Sequence, residues 1–194
     1  MLFNTLAHLR ALIGHDTARA HAMLDHLNDY LRTTLQASRQ VLHPLGEEFS
    51  RLEDYLSLMA IRMGPRLRFE LDLPSSLTHT PVPSFILQPL VENAIRHGLE
   101  PVVAGGRIVV QAHTEGAQLV LTVSDNGVGI SELALAESNT ASTSGTTASW
   151  GLAHVRQRLH TLYGDRAGMR ITPLPTGGTC VVLTLPVTTP HAET

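Results

Sequence analysis

Apolar residues recur along the first part of the chain at three- and four-residue steps, the spacing of amphipathic helices. Leu6, Leu9 and Ile13 make one stripe. Gly14-His15-Asp16-Thr17 interrupts it, with Asp16 placed to cap a new helix. Ala20, Met23, Leu27, Tyr30 and Thr34, with Leu24 and Leu31 beside them, carry the pattern to about residue 38. After His43-Pro44 another stripe runs through Phe49, Leu52, Leu56, Met59 and Met63 until Gly64-Pro65 stops it. Two such helices cover each other's stripes poorly. They predict either pairing with a second copy as a four-helix bundle, or a hairpin lying on the domain that follows.

From Arg66 the period changes to two. Leu67-Arg68-Phe69-Glu70-Leu71-Asp72-Leu73 alternates strictly and predicts a strand. A helix is expected at about 84–97, strands at about 107–113, 118–124, 168–172 and 179–185, and a further helix at about 151–163. The fold class is therefore α+β: an N-terminal helical hairpin over residues 1–64, then a two-layer α/β sandwich over residues 65–190. Residues 138–149, rich in Ser, Thr, Ala and Gly, read as a mobile loop, and residues 188–194 as a frayed tail.

Composition narrows the chemistry. With 43% apolar residues among 194, the chain can bury a core. Its net charge of -3 is too mild to imply direct nucleic-acid binding. No stretch approaches the roughly 20 apolar residues of a bilayer span. The expectation is a soluble, cytoplasmic segment that makes no membrane contact itself, whether or not a longer protein is anchored in the inner membrane. All 14 basic residues are arginine. A lysine Schiff base and the P-loop lysine are thereby excluded, and phosphate must be handled by arginine, histidine, metal or backbone N–H groups. Cys180 lies in an apolar run and reads as a buried strand thiol. The 11 histidines show no zinc spacing.

Two stretches carry the chemistry. In Leu87-Gln88-Pro89-Leu90-Val91-Glu92-Asn93-Ala94-Ile95-Arg96-His97-Gly98, an apolar helix face leaves Glu92, Asn93, Arg96 and His97 side by side. In Asp125-Asn126-Gly127-Val128-Gly129-Ile130, a carboxylate sits where an apolar strand opens into a glycine turn. Taken alone, Asn93 reads as a solvated helix residue and Asp125-Asn126-Gly127 as a strand-ending turn. Together they suit a nucleotide. A carboxylate accepts from an exocyclic amine, an amide oxygen ligates a hard cation, and glycines let backbone approach the ligand.

The pair resembles the N box and first glycine box of the ATP-binding fold shared by histidine kinases, gyrase, Hsp90 and MutL. "LQPLVENAIRHG", and "LFNTL" at the start, look like sensor histidine kinases of the LytS/YehU type. The resemblance runs from Leu2 to about Pro186. It implies ATP and Mg²⁺ as cofactors, Asn93 as the metal ligand, and Arg96 and His97 near the phosphates. Asp125 would take the adenine amino group, with Gly127 and Gly129 running under the base. Glu92 stays open between positioning the metal or attacking group and plain solvation. In gyrase-like relatives a glutamate one turn upstream activates water; Pro89 stands there and cannot act as a base, which leans toward transfer to a protein acceptor.

The second glycine box departs from the pattern. Ser149-Trp150-Gly151-Leu152 stands where the family tends to read Gly-x-Gly-Leu, so Gly151 and Leu152 keep their places and the first glycine is serine. Gly177-Gly178-Thr179 matches the last box, with Thr179 beside the base pocket. The resemblance also implies a homodimer and a response regulator, of LytTR type, as partners. The acceptor of the family lies in a His-Phe-Leu-Phe-Asn motif. This chain opens Met1-Leu2-Phe3-Asn4, so the expectation is a catalytic fragment whose acceptor histidine lies just upstream, a role not transferred to His8 or His15. Two alternatives remain: a serine kinase of the anti-sigma-factor kind, or a nucleotide-binding pseudokinase module.

Overall fold

The computed structural model describes residues 41–130 and 147–187, with positions 13, 14, 16, 17, 20, 21 and 24. Most of the stripes before residue 41, most of the Ser/Thr-rich stretch and the tail after 187 lie outside the described residues. Within that early region, Ala20 N–H donates to the Asp16 carbonyl at 3.0 Å, the first bond of a helix with Asp16 in the capping position.

After a short strand β1 (Leu42–Pro44), helix α1 (Leu45–Met63) follows the predicted stripe. Its first N–H groups, which have no intrahelical acceptor, find Thr80 and Thr78 carbonyls at 2.8 Å from Leu45 and Gly46. Gly64, at φ 61°, ends the helix before Pro65. Strand β2 (Leu67–Asp72) alternates as expected. Strand β3 (Pro81–Pro83) pairs antiparallel with β1. Strands β4 (Gly106–Glu115) and β5 (Gln118–Asp125) form a hairpin, helix α3 comes later (Thr147–Tyr163), and β6 (Gly168–Pro173) and β7 (Thr179–Pro186) close the chain. The main sheet runs β2-β4-β5-β7-β6, with β2 parallel to β4 and every other pair antiparallel.

One face of this sheet is covered by helices. Leu52, Leu56 and Met59 of α1 share a single buried cluster with Ile108 and Val110 of β4, Leu121 and Val123 of β5, and Val155 and Leu159 of α3. The apolar stripe of α1 is thus covered within the chain by the sheet and its neighbouring helices.

The helix expected from residue 84 begins later. Residues 84–87 form a turn in which Phe85 takes the left-handed φ of 57°, a conformation costing a non-glycine residue roughly 1–2 kcal/mol. Helix α2 (Gln88–Asn93) then starts with proline in its first turn, where the missing N–H costs nothing. It widens at once into a π-helical turn (Ala94–Leu99), closed by Glu100 N–H donating to the Ile95 carbonyl at 2.8 Å. Helix α3 also starts earlier than its expected position near 151. With Ser149 in place of a glycine, nothing interrupts the helical backbone from Thr147 onward.

Because α1 belongs to the sheet's core, Leu56→Ala should lower stability by about 2–5 kcal/mol, the cost of emptying a fully buried leucine site. Urea unfolding should show one transition moving as a unit for the α1 and sheet regions. A mutant that melts α1 separately while the sheet keeps its midpoint would contradict the shared core.

Candidate nucleotide site

Asp125 ends β5 opposite Ile108 of β4, and the ladder is prolonged one residue past it. Asn126 N–H donates to the Arg107 carbonyl at 3.3 Å, while Asn126 Oδ1 accepts the Arg107 N–H at 2.6 Å. The chain is therefore held straight until it must turn at Gly127.

Three glycines crowd Asp125. A Cβ on Gly98 would stand 2.7 Å from Asp125 Oδ1, and one on Gly127 would stand 2.1 Å from the Gly98 carbonyl oxygen. A Cβ on Gly178 would lie 2.0 Å from the Asp125 carbonyl oxygen. Such separations are below any van der Waals contact, so only glycine fits. The π-helical turn, the Asp125 loop and the entry to β7 thus meet backbone to backbone. Val128 N–H donates to the Gly98 carbonyl at 3.0 Å and fixes the loop against the helix.

The Asp125 carboxylate is 6% exposed. Oδ1 accepts the Gly127 N–H at 2.9 Å. Burial pushes its pKa above the usual value, and the backbone N–H groups of Gly127 and Thr179 oppose that rise. The neighbouring Cys180 thiol is likewise pushed up, first by burial and then by the Asp125 charge, so it stays protonated.

Asn93, the last residue of α2, is half-buried and lies one turn before Gly98. Gly151 of α3 faces it: a Cβ there would be 3.6 Å from Asn93 Nδ2 and 3.5 Å from Pro89 Cβ. Leu152, next along α3, is partly buried against the core. Arg96 and His97 project from the π-helical turn and are exposed. Partial desolvation of the His97 ring, and then Arg96, lower its pKa, while Glu100 raises it. Glu92 accepts from Gln88 Nε2 at 2.8 Å, one helical turn away.

The candidate residues therefore fall into two groups: Asp125, Gly127 and Thr179 lie together around the buried carboxylate, and Asn93 and Gly151 face each other between α2 and α3. A Cβ on Gly129, whose φ is 78°, would stand 3.3 Å from the Gly178 carbonyl oxygen. Sequence reasoning gives Gly98 and Asn126 no role of their own, and places Gly178 only within the last glycine box. The bareness of Gly98 matters because the loop from β5 passes over it.

The donor set suits a nucleotide: a desolvated acceptor in a glycine cradle, and a helix bearing an amide, a guanidinium and an imidazole. Comparison with known proteins points the same way. The histidine kinase family matches residues 1–67, and the family of histidine kinase-, DNA gyrase B-, and HSP90-like ATPases matches residues 82–189. The sensor protein LytS of Bacillus subtilis (strain 168) is 34% identical over 189 residues, covering 96% of this chain and 32% of LytS. The sensor histidine kinase BtsS of Escherichia coli (strain K12) is 30% identical over 185 residues, 95% of this chain and 31% of BtsS. The chain thus spans about a third of the length of these curated relatives. Among solved structures, the histidine kinase domain of the Erythrobacter litoralis EL346 blue-light activated kinase superposes with a TM-score of 0.58 at 20% identity, over 93% of this chain and 85% of that one. The nucleotide-free catalytic domain of the histidine kinase ThkA gives 0.60 at 18% identity, over 76% and 95%. With a family match over more than half its length, this chain belongs to the histidine kinase-, DNA gyrase B-, and HSP90-like ATPases.

Proposed function

We propose that this chain is the catalytic part of a sensor histidine kinase of the LytS type, binding Mg-ATP and transferring its γ-phosphoryl group to a histidine and thence to a response-regulator aspartate. The observation that carries this reading is the desolvated Asp125 carboxylate, anchored by backbone N–H groups where the Asn93 helix passes closest. Asp125 accepts from the adenine amino group, and guanine, with a carbonyl at that place, is refused. Asn93 would hold Mg²⁺ through its amide oxygen. When bound, the ion offsets phosphate charge during transfer. Arg96 donates to phosphate oxygens, and His97 does so best when protonated.

The rest of the work is positioning. Pro89 packs toward Gly151 and supplies no base, so no side chain there activates water, and the reading favours a protein acceptor over hydrolysis. Glu92, engaged by Gln88, is suited to holding a hydrogen-bonded group in place. Of the helical region over residues 1–64, α1 is covered by the sheet, which leaves the residues before Val41 as the proposed dimerisation and phosphotransfer part, with a homodimer as the assembly and a LytTR-type regulator as the recipient. No helix among the described residues is long and apolar enough to cross a membrane. A part that uses ATP and hands phosphate to a response regulator belongs on the cytoplasmic side of a sensor, where both are found. A second reading, a nucleotide-binding module without phosphotransfer, draws on the helical backbone through residues 147–150, where the family tends to carry a glycine-rich segment.

Calorimetry with ATP, with and without Mg²⁺, and with GTP tests the leading reading. Magnesium-dependent binding of ATP in preference to GTP is expected; no binding of either would overturn it. ATP binding without acid-labile phosphate on any histidine of the full-length protein would favour the second.

Asp125→Asn should weaken ATP by roughly tenfold to a hundredfold, the worth of a charge-assisted hydrogen bond. The same change should relieve the nucleotide-free fold. Unfolded, the carboxyl ionises near 3.8, whereas the folded chain holds its proton to higher pH. Stability of the unsubstituted protein therefore declines as pH rises from 3.8 through the folded-state pKa, and the Asn variant should not show that decline. Denaturation midpoints across pH 3–7 measure the difference, the range being about that over which a raised carboxyl titrates. Arg96→Ala, by contrast, should cost about 1–2 kcal/mol of ATP binding and leave adenosine binding unchanged, since its partner is phosphate.

A further inference from the structure

Away from the cleft, a cluster of ionisable side chains is buried where β1, α1 and the turn before α2 meet. Glu48, Arg51 and His43 are 1%, 5% and 3% exposed. Glu48 Oε1 accepts the Leu87 N–H at 2.9 Å. Its Oε2 accepts the Phe85 N–H at 3.2 Å and Arg51 Nη2 at 3.1 Å, and lies 2.8 Å from His43 Nε2. The Arg51 guanidinium also sits 5.5 Å from the centroid of the Phe85 ring. His43 is the middle residue of β1, opposite Val82 of β3.

A buried ion pair is a poor way to gain stability, because desolvating both charges offsets most of their attraction. What a carboxylate supplies here, and an apolar residue cannot, is acceptors for two N–H groups in a turn too irregular to satisfy them itself. That turn contains the left-handed Phe85, and it ends at Leu87, the residue from which α2 begins. Asn93 is six residues farther along the same helix. Each residue of α-helix rotates the side chain by about 100°, so a slip at the entry would swing Asn93 away from its place opposite Gly151. At its other end the helix is pinned independently by Gly98 against the Asp125 loop.

We propose that Glu48 is a positioning residue for the nucleotide site. Through the Phe85 and Leu87 N–H groups it sets the entry of the helix presenting Asn93, and through His43 it ties that entry to strand β1. This rests on the reading of Asn93 as the magnesium-side group. The adenine side, built on Asp125, Gly127 and Thr179, does not pass through Glu48. A positioning role therefore separates from a merely structural one by which part of the ligand suffers.

In the test, Glu48→Gln keeps the size of the side chain while putting a donor where one acceptor stood. Mg-ATP and adenosine affinities are measured by calorimetry, and amide hydrogen exchange is measured without nucleotide. The expected result is a loss of about tenfold or more in Mg-ATP affinity, the usual effect of removing a support behind a metal ligand. Adenosine affinity should stay within about twofold, as for an independent site. Exchange should quicken over residues 85–99 and stay unchanged in β5 and β7. Equal losses for both ligands, or no loss in either, would overturn the proposal. Should Glu48→Gln fail to fold, Glu48→Asp decides: it keeps the negative charge beside Arg51 and His43 while drawing the carboxylate back from the Phe85 and Leu87 N–H groups. The same split then supports the role, and unchanged affinities overturn it. If the unsubstituted protein binds no nucleotide, the functional reading falls by itself. The exchange comparison still decides on Glu48: quickening confined to residues 85–99 supports the positioning, and a uniform or absent change refutes it.

Discussion

Three backbone segments can approach one another around Asp125 only because Gly98, Gly127 and Gly178, one on each segment, carry no Cβ. The π-helical turn, the loop after β5 and the start of β7 meet at distances a methyl group would forbid. That contact desolvates the carboxylate, aims it between two N–H groups and fixes the helix bearing Asn93 at a set height above the sheet. An acceptor kept dry and already oriented forms a stronger bond with an incoming amine than one that must shed water. The energetic debt is borne by the rest of the fold, whose core of aliphatic side chains holds the segments together.

Helix α2 is consequently held at both ends as well as along its buried middle. Glu48 receives its first turn and the Asp125 loop receives its last, while Leu90 and Val91 press its middle into the core. The π-helical widening sits between Asn93 and Gly98. It places exposed Arg96 and His97 on the rim while Ile95 and Leu99 remain buried. Wide turns of this kind are often found where a helix must serve packing and binding together.

Much of this was readable from residue order. The β4–β5 hairpin, β7 and the stripe of α1 declare themselves through long, regular alternation or three- and four-residue spacing, and Asp125 stands visibly at a strand's end. Elements of three residues do not: β1 and β3 are too short for a period, and two of the three residues in β3 are prolines. The turn at 84–87 reads as helix in the sequence because Phe85 gives no hint of a left-handed backbone, a conformation imposed by its surroundings. Glu48 hid for another reason. A glutamate beside a second one, in the first turn of a helix, has the look of a solvated face, and only the tertiary fold brings two amides onto it. Gly98 is a similar case, since a close approach between distant segments leaves no local trace.

The coverage of α1 by the sheet also governs where the polypeptide can be cut. Trimming at Pro65, the place punctuation suggests, would strip the lid from Leu67, Val82 and Leu99 and take away the acceptor for the Leu87 amide. A nucleotide-binding piece that keeps its shape must start upstream of Leu42, so the strap made by β1 and β3 travels with it.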